Sequence, residues 1–161
     1  MKTLTLSDGQ IIKVECLSCA LTSGMIKPQG GVIYETPHFH AHQDVAYPIQ
    51  GLVIRASKRH FKSMDELTEE EQVDYIRTLT KIRKAQRNVL GIEAVYYFYN
   101  EDTTHHFHTW MVPRYDWMKE FGHSVESLRP VLLHARNSMN DEQDISQVIK
   151  AIEKLKMNLN E

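Results

Sequence analysis

The chain has 161 residues, of which 42% are hydrophobic and 25% charged, enough for one globular domain over residues 1–161 with a core that needs no disulfides. Its formal net charge of -2 argues against a nucleic-acid-binding protein, which normally carries a strongly basic face. No stretch has the apolar run of a signal peptide or a membrane span, so we expect a cytoplasmic protein without a membrane partner.

The first third of the chain predicts β-strands around a loop rich in Gly and Pro. The segment TLTLSDGQIIKVE has two alternating runs joined at Asp8-Gly9, which is typical of a β-hairpin. GVIYE and QGLVIRA are short apolar runs and predict two further strands. Between them, YETPHFHAHQD alternates histidines with other residues, and we expect a loop or an edge strand there.

The clearest predicted element is a long helix that follows Thr68. Thr68 and Glu71 match a capping box, and Gly91 supplies the stop signal. The apolar face expected for this helix consists of Val73, Ile76, Leu79 and Ile82.

Two strands and two helices are predicted after the long helix. EAVYYFY is β-branched and aromatic, and HHFHTWMV follows it as an antiparallel partner. One helix is expected to start near Ser127 with Pro130 in its first turn, and the last has apolar residues at helical spacing from Ile145 to Leu155. The sum is an α+β fold with a mostly antiparallel sheet, a long central helix and C-terminal helices.

The chain's two cysteines, Cys16 and Cys19, are separated by two residues. A structural disulfide is not expected in a reducing compartment. The cysteines are then a redox pair, half of a zinc site or a chance feature of the composition. A redox pair normally opens a helix, and ALTSGMIKPQGG after the cysteines is poor helix-forming sequence, so the spacing favours zinc. Two more ligands must then come from elsewhere in the chain.

Three histidines cluster in the segment TTHHFHTWMVPR. If this segment is a strand, alternation puts His106, His108, Trp110 and Val112 on one face and His105, Phe107, Thr109 and Met111 on the other. Two neighbouring imidazoles on one face of a strand can serve different purposes, one as a metal ligand and one as a nucleophile.

The segment HFHTWMVPR resembles the motif of the histidine triad (HIT) family, His-φ-His-φ-His-φ-φ, where φ is apolar. Upstream, GLVIRASKRHFKSMDELTEEE is similar to the family's central strand and basic turn, and CLSC to the cysteine pair of zinc-bearing members. The resemblance spans about residues 14 to 118 and implies a HIT-like fold.

The resemblance implies a structural zinc ion and a nucleotide-hydrolysing site. Zinc would be held by Cys16, Cys19, His60 and His106, a closed set of two thiolates and two neutral imidazoles. His108 would attack the α-phosphorus of a dinucleoside polyphosphate, such as a diadenosine polyphosphate, or of another nucleotide conjugate. Water would then release the covalently held nucleotide. Family members commonly form homodimers, and the resemblance implies the same here.

The chain departs from the motif at Trp110, which stands where the third histidine is expected. An indole offers one N–H donor and cannot shuttle a proton. The residues left to bind substrate or phosphate are Asn100, Thr103, Thr104, His105 and Trp110.

Two alternatives to a HIT-type hydrolase stay open. One is a nucleotide-binding regulatory protein with weak or no turnover on the same fold. The other is a metal-dependent phosphohydrolase that uses His38, His40 and His42, with Asp44 as a further ligand.

Overall fold

A computed structural model describes residues 1–5, 9–102 and 106–161 of the chain. The strands are β1 (Lys2–Thr5), β2 (Ile11–Val14), β3 (Val32–Glu35), β4 (Phe39–Gln43), β5 (Val53–Ser57), β6 (Val95–Phe98) and β7 (His108–Pro113). The helices are α1 (Leu17–Thr22), α2 (Glu69–Leu90), α3 (Ser124–Ser138) and α4 (Glu142–Leu159). Single 3-10 segments, Met64–Glu66 and Asp116–Phe121, precede α2 and α3.

The main sheet has five strands in the order β3-β4-β5-β7-β6, and every neighbouring pair is antiparallel. The predicted hairpin is confirmed as a separate two-stranded sheet of β1 and β2, although part of its turn lies outside the described residues. The predicted α+β class with an antiparallel sheet, a long helix and C-terminal helices is also confirmed.

The two faces of the main sheet pack against different helices. Val53 of β5 and Met111 of β7 belong to a buried cluster with residues of α2 and α4. Their neighbours Ile54 and Val112 point to the other face and pack with residues of α3 and the preceding 3-10 segment. This alternation is the period of two that the sequence predicts for β7.

Helix α2 begins and ends where the sequence predicts. The Thr68 side chain accepts a hydrogen bond from the Glu71 backbone N–H, and the Glu71 carboxylate accepts one from the Thr68 backbone N–H. Gly91 after the last turn takes the left-handed conformation at φ +67°. The predicted apolar face is wrong in its first two turns, where Val73 is 47% and Ile76 is 55% exposed. The first two turns of α2 lie beyond the buried core of the described residues. Ile82, further along the helix, belongs to that core and is completely buried.

Three elements differ from the sequence prediction. β4, expected as a loop or edge strand, is an internal strand paired on both sides, and its five residues are buried. The segment after Cys16 forms the short helix α1, because the Cys16 thiol caps it by accepting from the backbone N–H of Cys19. Helix α3 begins three residues earlier than predicted, so Pro130 lies inside it.

Within the described residues, no helix combines the length and the apolar character needed to cross a membrane.

Candidate metal cluster and histidine cavity

The hairpin and α1 position the cysteine pair. Cys16 is the residue before the first turn of α1 and Cys19 lies one turn later, so both thiols lie on the same side of the helix. The Cys16 Sγ accepts the Cys19 N–H at 3.4 Å, which fixes the first turn around the two sulfur atoms. Both cysteines are free rather than disulfide-bonded.

His60 and His106 complete a four-residue cluster with these cysteines. The Nδ1 atoms of the two rings are 3.1 Å apart, and the Cys19 Sγ lies 3.1 Å from His60 Nδ1 and 3.3 Å from His106 Nδ1. The Cys16 Sγ lies 3.5 Å from His106 Nδ1, and the four ligand atoms all fall within 4.8 Å of one another. Residues distant in sequence thus direct two sulfur and two imidazole nitrogen donors at one point.

The arrangement fits a tetrahedral metal ion. Zinc bonds of about 2.3 Å to sulfur and about 2.0–2.1 Å to nitrogen imply ligand–ligand separations of about 3.3–3.8 Å. The four separations of 3.1–3.5 Å given above are close to that range. The outer ring nitrogen of His106, Nε2, donates to the Ser57 carbonyl at 2.6 Å, which leaves Nδ1 unprotonated and directed at the cluster. The four residues are therefore compatible with a metal site.

Burial shifts the pKa of two groups in this cluster, Cys19 and His106. It raises the pKa of Cys19 to about 11, with further contributions from the hydrogen bond and the charge of Cys16. It also lowers the pKa of His106, which favours the neutral imidazole. A metal ion that binds here must displace a proton from the Cys19 thiol.

An ion pair between Arg59 and Glu71 fixes the connection from β5 to α2, which contains His60. Arg59 donates from Nε and Nη2 to the two carboxylate oxygens of Glu71 at 2.9 and 2.8 Å, and Nη2 also donates to the Glu66 carbonyl at 2.7 Å. The hydrogen bond from Arg59 lowers the pKa of Glu71 to about 2. The capping carboxylate of α2 thereby anchors the residue next to His60.

His108 lies at the start of β7 on the same side as the cluster. Its Nδ1 donates to the carbonyl of His106 at 2.9 Å, which leaves Nε2 as the nitrogen with a free lone pair. Burial lowers the pKa of His108 below its ordinary value, so the neutral ring is favoured. An imidazole fixed in this tautomer is chemically suited to act as a nucleophile.

A cavity of about 270 Å³ opens beside His108, and we call it the His108 cavity. Its apolar wall comes from the hairpin, α1, β5 and the bend after β4, with Leu4, Leu17, Leu21, Val45 and Ile54. Its polar lining includes Asn100 and Asp44 as well as His42. A pocket with apolar walls and a few convergent polar groups is typical of a small-molecule site.

Trp110 forms another wall of the His108 cavity. Its ring centroid lies 6.3 Å from that of His108, 5.7 Å from that of Tyr47 and 5.9 Å from that of Phe98. The predicted placement of Trp110 beside His108 on one face is confirmed. The indole is packed among aromatic rings and offers no titratable group for proton transfer.

The residues suggested as a second metal site lie in and beside β4, and their side chains point to different surroundings. His38 lies 3.9 Å from Glu70 of α2, whereas His40 and His42 lie side by side with ring centroids 5.3 Å apart. Of the residues that the structure describes, only the cluster of Cys16 and its partners brings three or more ligand atoms together. The structure therefore does not assemble His38, His40, His42 and Asp44 around one point.

His42 and Asp44 instead line the His108 cavity. The Nδ1 of His42 donates to its neighbour's carbonyl at 2.7 Å, and burial lowers the pKa of His42 to about 4. Asp44 accepts from the backbone N–H groups of Ala46 and Tyr47, both at 2.8 Å, while burial raises its pKa to about 6.

The remaining predicted phosphate-binding residues, Thr103, Thr104 and His105, lie outside the described residues. Sequence reasoning also missed Ser57 as the partner of His106 and the hairpin as a wall of the cavity. No local signal marks either contribution, because both depend on how distant segments pack together.

No protein-family model matches the sequence, and a search of curated proteins finds no match. Solved structures do match it. A zinc-bound histidine triad family protein from Mycobacterium smegmatis is 21% identical over 89% of this chain and 96% of its own, with a TM-score of 0.61. A member of the HIT family from Bacillus subtilis is 21% identical over 88% and 96%, with a TM-score of 0.60.

A histidine triad nucleotide-binding protein from Sulfolobus tokodaii, described as hypothetical, is 15% identical over 90% of this chain and 94% of its own, with a TM-score of 0.65. These likenesses extend over most of both chains at low sequence identity, so they establish architecture. The chain has the fold of the histidine triad proteins.

Proposed function

We propose that the protein is a nucleotide hydrolase or nucleotidyl transferase that acts through His108. The observation that carries this proposal is the bond from His108 Nδ1 to the His106 carbonyl at 2.9 Å, on the wall of the His108 cavity. It directs the basic nitrogen away from the backbone, as a nucleophile requires. The fold shared with histidine triad proteins supports the same assignment.

The proposed reaction has two steps. His108 Nε2 attacks the α-phosphorus of a nucleotide conjugate, an N–P bond forms, and the bond from phosphorus to the leaving group breaks. Water then attacks the same phosphorus, the N–P bond breaks, and a nucleoside monophosphate leaves while the proton of the water passes to the solvent. Asn100, as a polar group of the cavity lining, is proposed to bind the substrate.

We propose zinc as the metal held by Cys16, Cys19, His60 and His106. Zinc bound by four protein ligands is structural, since it keeps no open position for substrate. It would tie α1 to the start of β7 and to the connection between β5 and α2. The backbone next to His106 includes the carbonyl that orients His108, so the metal would support the nucleophile indirectly.

We also propose a homodimer that joins the exposed face of α2 and the edge strand β6. Val73 and Ile76 of α2 and Tyr97 of β6, which is 50% exposed, are large apolar side chains at the surface. Tyr97 pairs with Met111, whose side chain packs on the α2 side, so the three residues lie towards the same face of the sheet. Exposed apolar side chains beside an unpaired strand edge are typical of an interface between chains.

Trp110 favours one alternative function, a nucleotide-binding protein with little turnover. The third imidazole of the motif is missing, and the indole at that position cannot protonate a leaving group. In this case the cavity would bind nucleotide but release no nucleoside monophosphate.

A His108→Ala variant tests the hydrolase proposal. We expect the wild type to release nucleoside monophosphate from a panel of dinucleoside polyphosphates and nucleoside phosphoramidates, and the variant to release at least a hundredfold less, because the attacking nitrogen is lost. His123→Ala, which removes an exposed imidazole before α3, is the matched control. Wild-type release no greater than that of His108→Ala, with nucleotide still bound, would favour the binding protein instead.

A further inference from the structure

The cysteine pair opens a helix, as a redox-active Cys-x-x-Cys pair normally does. The segment after Cys19 is poor helix-forming sequence, and on that ground the spacing favours zinc. In the structure, however, α1 begins at Leu17, Cys16 is the residue before its first turn, and Cys19 lies in that turn. The local structure therefore fits both a pair of metal ligands and a redox pair.

The two sulfur atoms are placed to bond to each other. The Cys16 Sγ accepts the backbone N–H of Cys19 at 3.4 Å, and the two Sγ atoms lie within 4.8 Å of each other. A disulfide needs a separation of about 2.05 Å, which side-chain rotation supplies because both residues belong to one turn. The chain has no other cysteine, so this is the disulfide that it can form within itself.

Cys16 is open to a small oxidant. It lines the His108 cavity, whose volume of about 270 Å³ greatly exceeds the roughly 30 Å³ that a water molecule occupies in the liquid. Hydrogen peroxide is only slightly larger than water. Because this oxidant is uncharged, the carboxyl groups of Glu15 and Asp44 in the same lining do not repel it. Peroxide therefore reaches the Cys16 sulfur through the cavity.

We propose that Cys16 and Cys19 are a reversible redox pair that a peroxide oxidises to a disulfide, and that the disulfide and a bound metal ion exclude each other. Cys16 is the sulfur that reacts with the oxidant first, and Cys19 is the sulfur that closes the bond. The inference goes beyond the proposed hydrolysis and does not involve His108.

The oxidation has two steps. The Cys16 thiolate attacks one oxygen of hydrogen peroxide, an S–O bond forms, the O–O bond breaks, and hydroxide departs from a sulfenic acid on Cys16. The Cys19 thiolate then attacks the Cys16 sulfur, the S–S bond forms, the S–O bond breaks, and a second hydroxide departs. The two sulfur atoms lose two electrons in total, which the peroxide gains, and protons from the solvent convert both hydroxides to water.

Oxidation removes both sulfur ligands of the four-residue cluster. The imidazoles that remain, His60 and His106, are too few to complete the tetrahedral site that zinc prefers. A disulfide within one turn closes a very short loop, so it restrains the unfolded chain little and does not replace the stabilisation that the metal supplies. A small dithiol returns the pair to thiolates by exchange, and the metal can then bind again.

Treatment of the zinc-loaded wild type with hydrogen peroxide tests the inference. Mass spectrometry of the alkylated and digested chain measures the Cys16–Cys19 disulfide, and a colour-forming chelator measures the released zinc. We expect one zinc ion released per disulfide formed, a fall in Tm, and recovery of the thiols and the metal after dithiothreitol and zinc are added. Met25→Leu, which removes a methionine sulfur at a 78% exposed position, is the control for oxidation elsewhere and should release zinc at the wild-type rate.

Single variants test the order in which the two sulfur atoms react. A 1,3-dicarbonyl reagent traps sulfenic acid, and removal of either thiol prevents the disulfide. With peroxide, we expect metal-free Cys19→Ser to take up the trap at Cys16, and metal-free Cys16→Ser to take it up several-fold more slowly at Cys19. Faster trapping in Cys16→Ser would overturn the assignment of Cys16 as the first sulfur to react.

Two results would overturn the redox pair itself. One is a zinc-loaded protein whose two thiols survive a peroxide treatment that has already oxidised Met25 to its sulfoxide. The other is a disulfide that forms while zinc stays bound. Neither readout involves turnover, so a His108→Ala variant that still hydrolyses nucleotides would refute the proposed function and leave both readouts unchanged.

Discussion

Replacing Cys16 by serine should remove the metal while preserving the start of α1. Serine is a favourable residue at a helix N-terminus, so Cys16→Ser keeps a side-chain acceptor for the Cys19 N–H that the thiol accepts at 3.4 Å. The hydroxyl does not replace a thiolate as a zinc ligand. The variant therefore separates the metal from the cap.

The expected loss of stability follows from the number of ligands that remain. Three donors stay in place, and loss of a direct ligand should cost at least the roughly hundredfold in affinity seen when a supporting residue is removed. By mass action, a hundredfold change is worth about 2.7 kcal/mol when zinc is in excess. For a chain of this length, about 2–4 °C per kcal/mol gives a fall in Tm of roughly 5–11 °C.

Elemental analysis and thermal unfolding with and without a chelator provide the assay. We expect about one zinc per wild-type chain and a fall in its Tm on chelation, whereas the Cys16→Ser variant should have a lower Tm than the wild type without chelator and the same Tm with it. Ser18→Ala, in the same helix and outside the ligand set, should behave as the wild type. A wild type that purifies without metal and ignores the chelator would refute the four-ligand assignment.

Three further predictions concern stability and assembly. Because Arg59 lowers the pKa of Glu71 to about 2, this pair stabilises the fold above about pH 4.5 and loses its effect as the pH falls towards 2. Glu71→Gln should lower the free energy of unfolding, measured with urea, by about 1–3 kcal/mol at pH 7. If the difference in this free energy between wild type and variant is no smaller at pH 3, the prediction is contradicted. Ile82→Ala should lower the free energy of unfolding by about 2–5 kcal/mol because the side chain is fully buried. Val125→Ala, at an exposed position, should change it by less than about 0.5 kcal/mol, and equal losses in the two variants would be inconsistent with the packing. Ile76→Asp should shift the protein from dimer to monomer in sedimentation experiments, and Val125→Asp should not; a monomeric wild type would exclude the proposed interface.

Local sequence signals determined several elements correctly. The capping box of Thr68 and Glu71 and the stop at Gly91 fix α2, because these contacts form within one turn of the chain. The alternation in HFHTWMV assigned His108 and Trp110 to one face, since a strand has a period of two whatever it pairs with. The four residues expected to hold zinc were chosen from a family resemblance, and the structure places them together.

Patterns whose outcome depends on packing were less informative. Val73 and Ile76 share the helical spacing of Ile82, yet the described core covers only the later turns of α2. The segment of β4 was expected to be a loop or an edge strand, but neutral imidazoles can be buried once both edges of the strand are paired.

The sequence by itself determined the long helix α2, the residue types available for a zinc ligand set and the strand that carries His108. Tertiary structure alone decided which histidines meet, since His38 and His42 are four residues apart but point to different surroundings. It also decided that the hairpin and α1 form walls of the His108 cavity. The reason is physical: hydrogen bonds within a turn or a strand are local, whereas a cavity is the space left between segments that are distant in the chain.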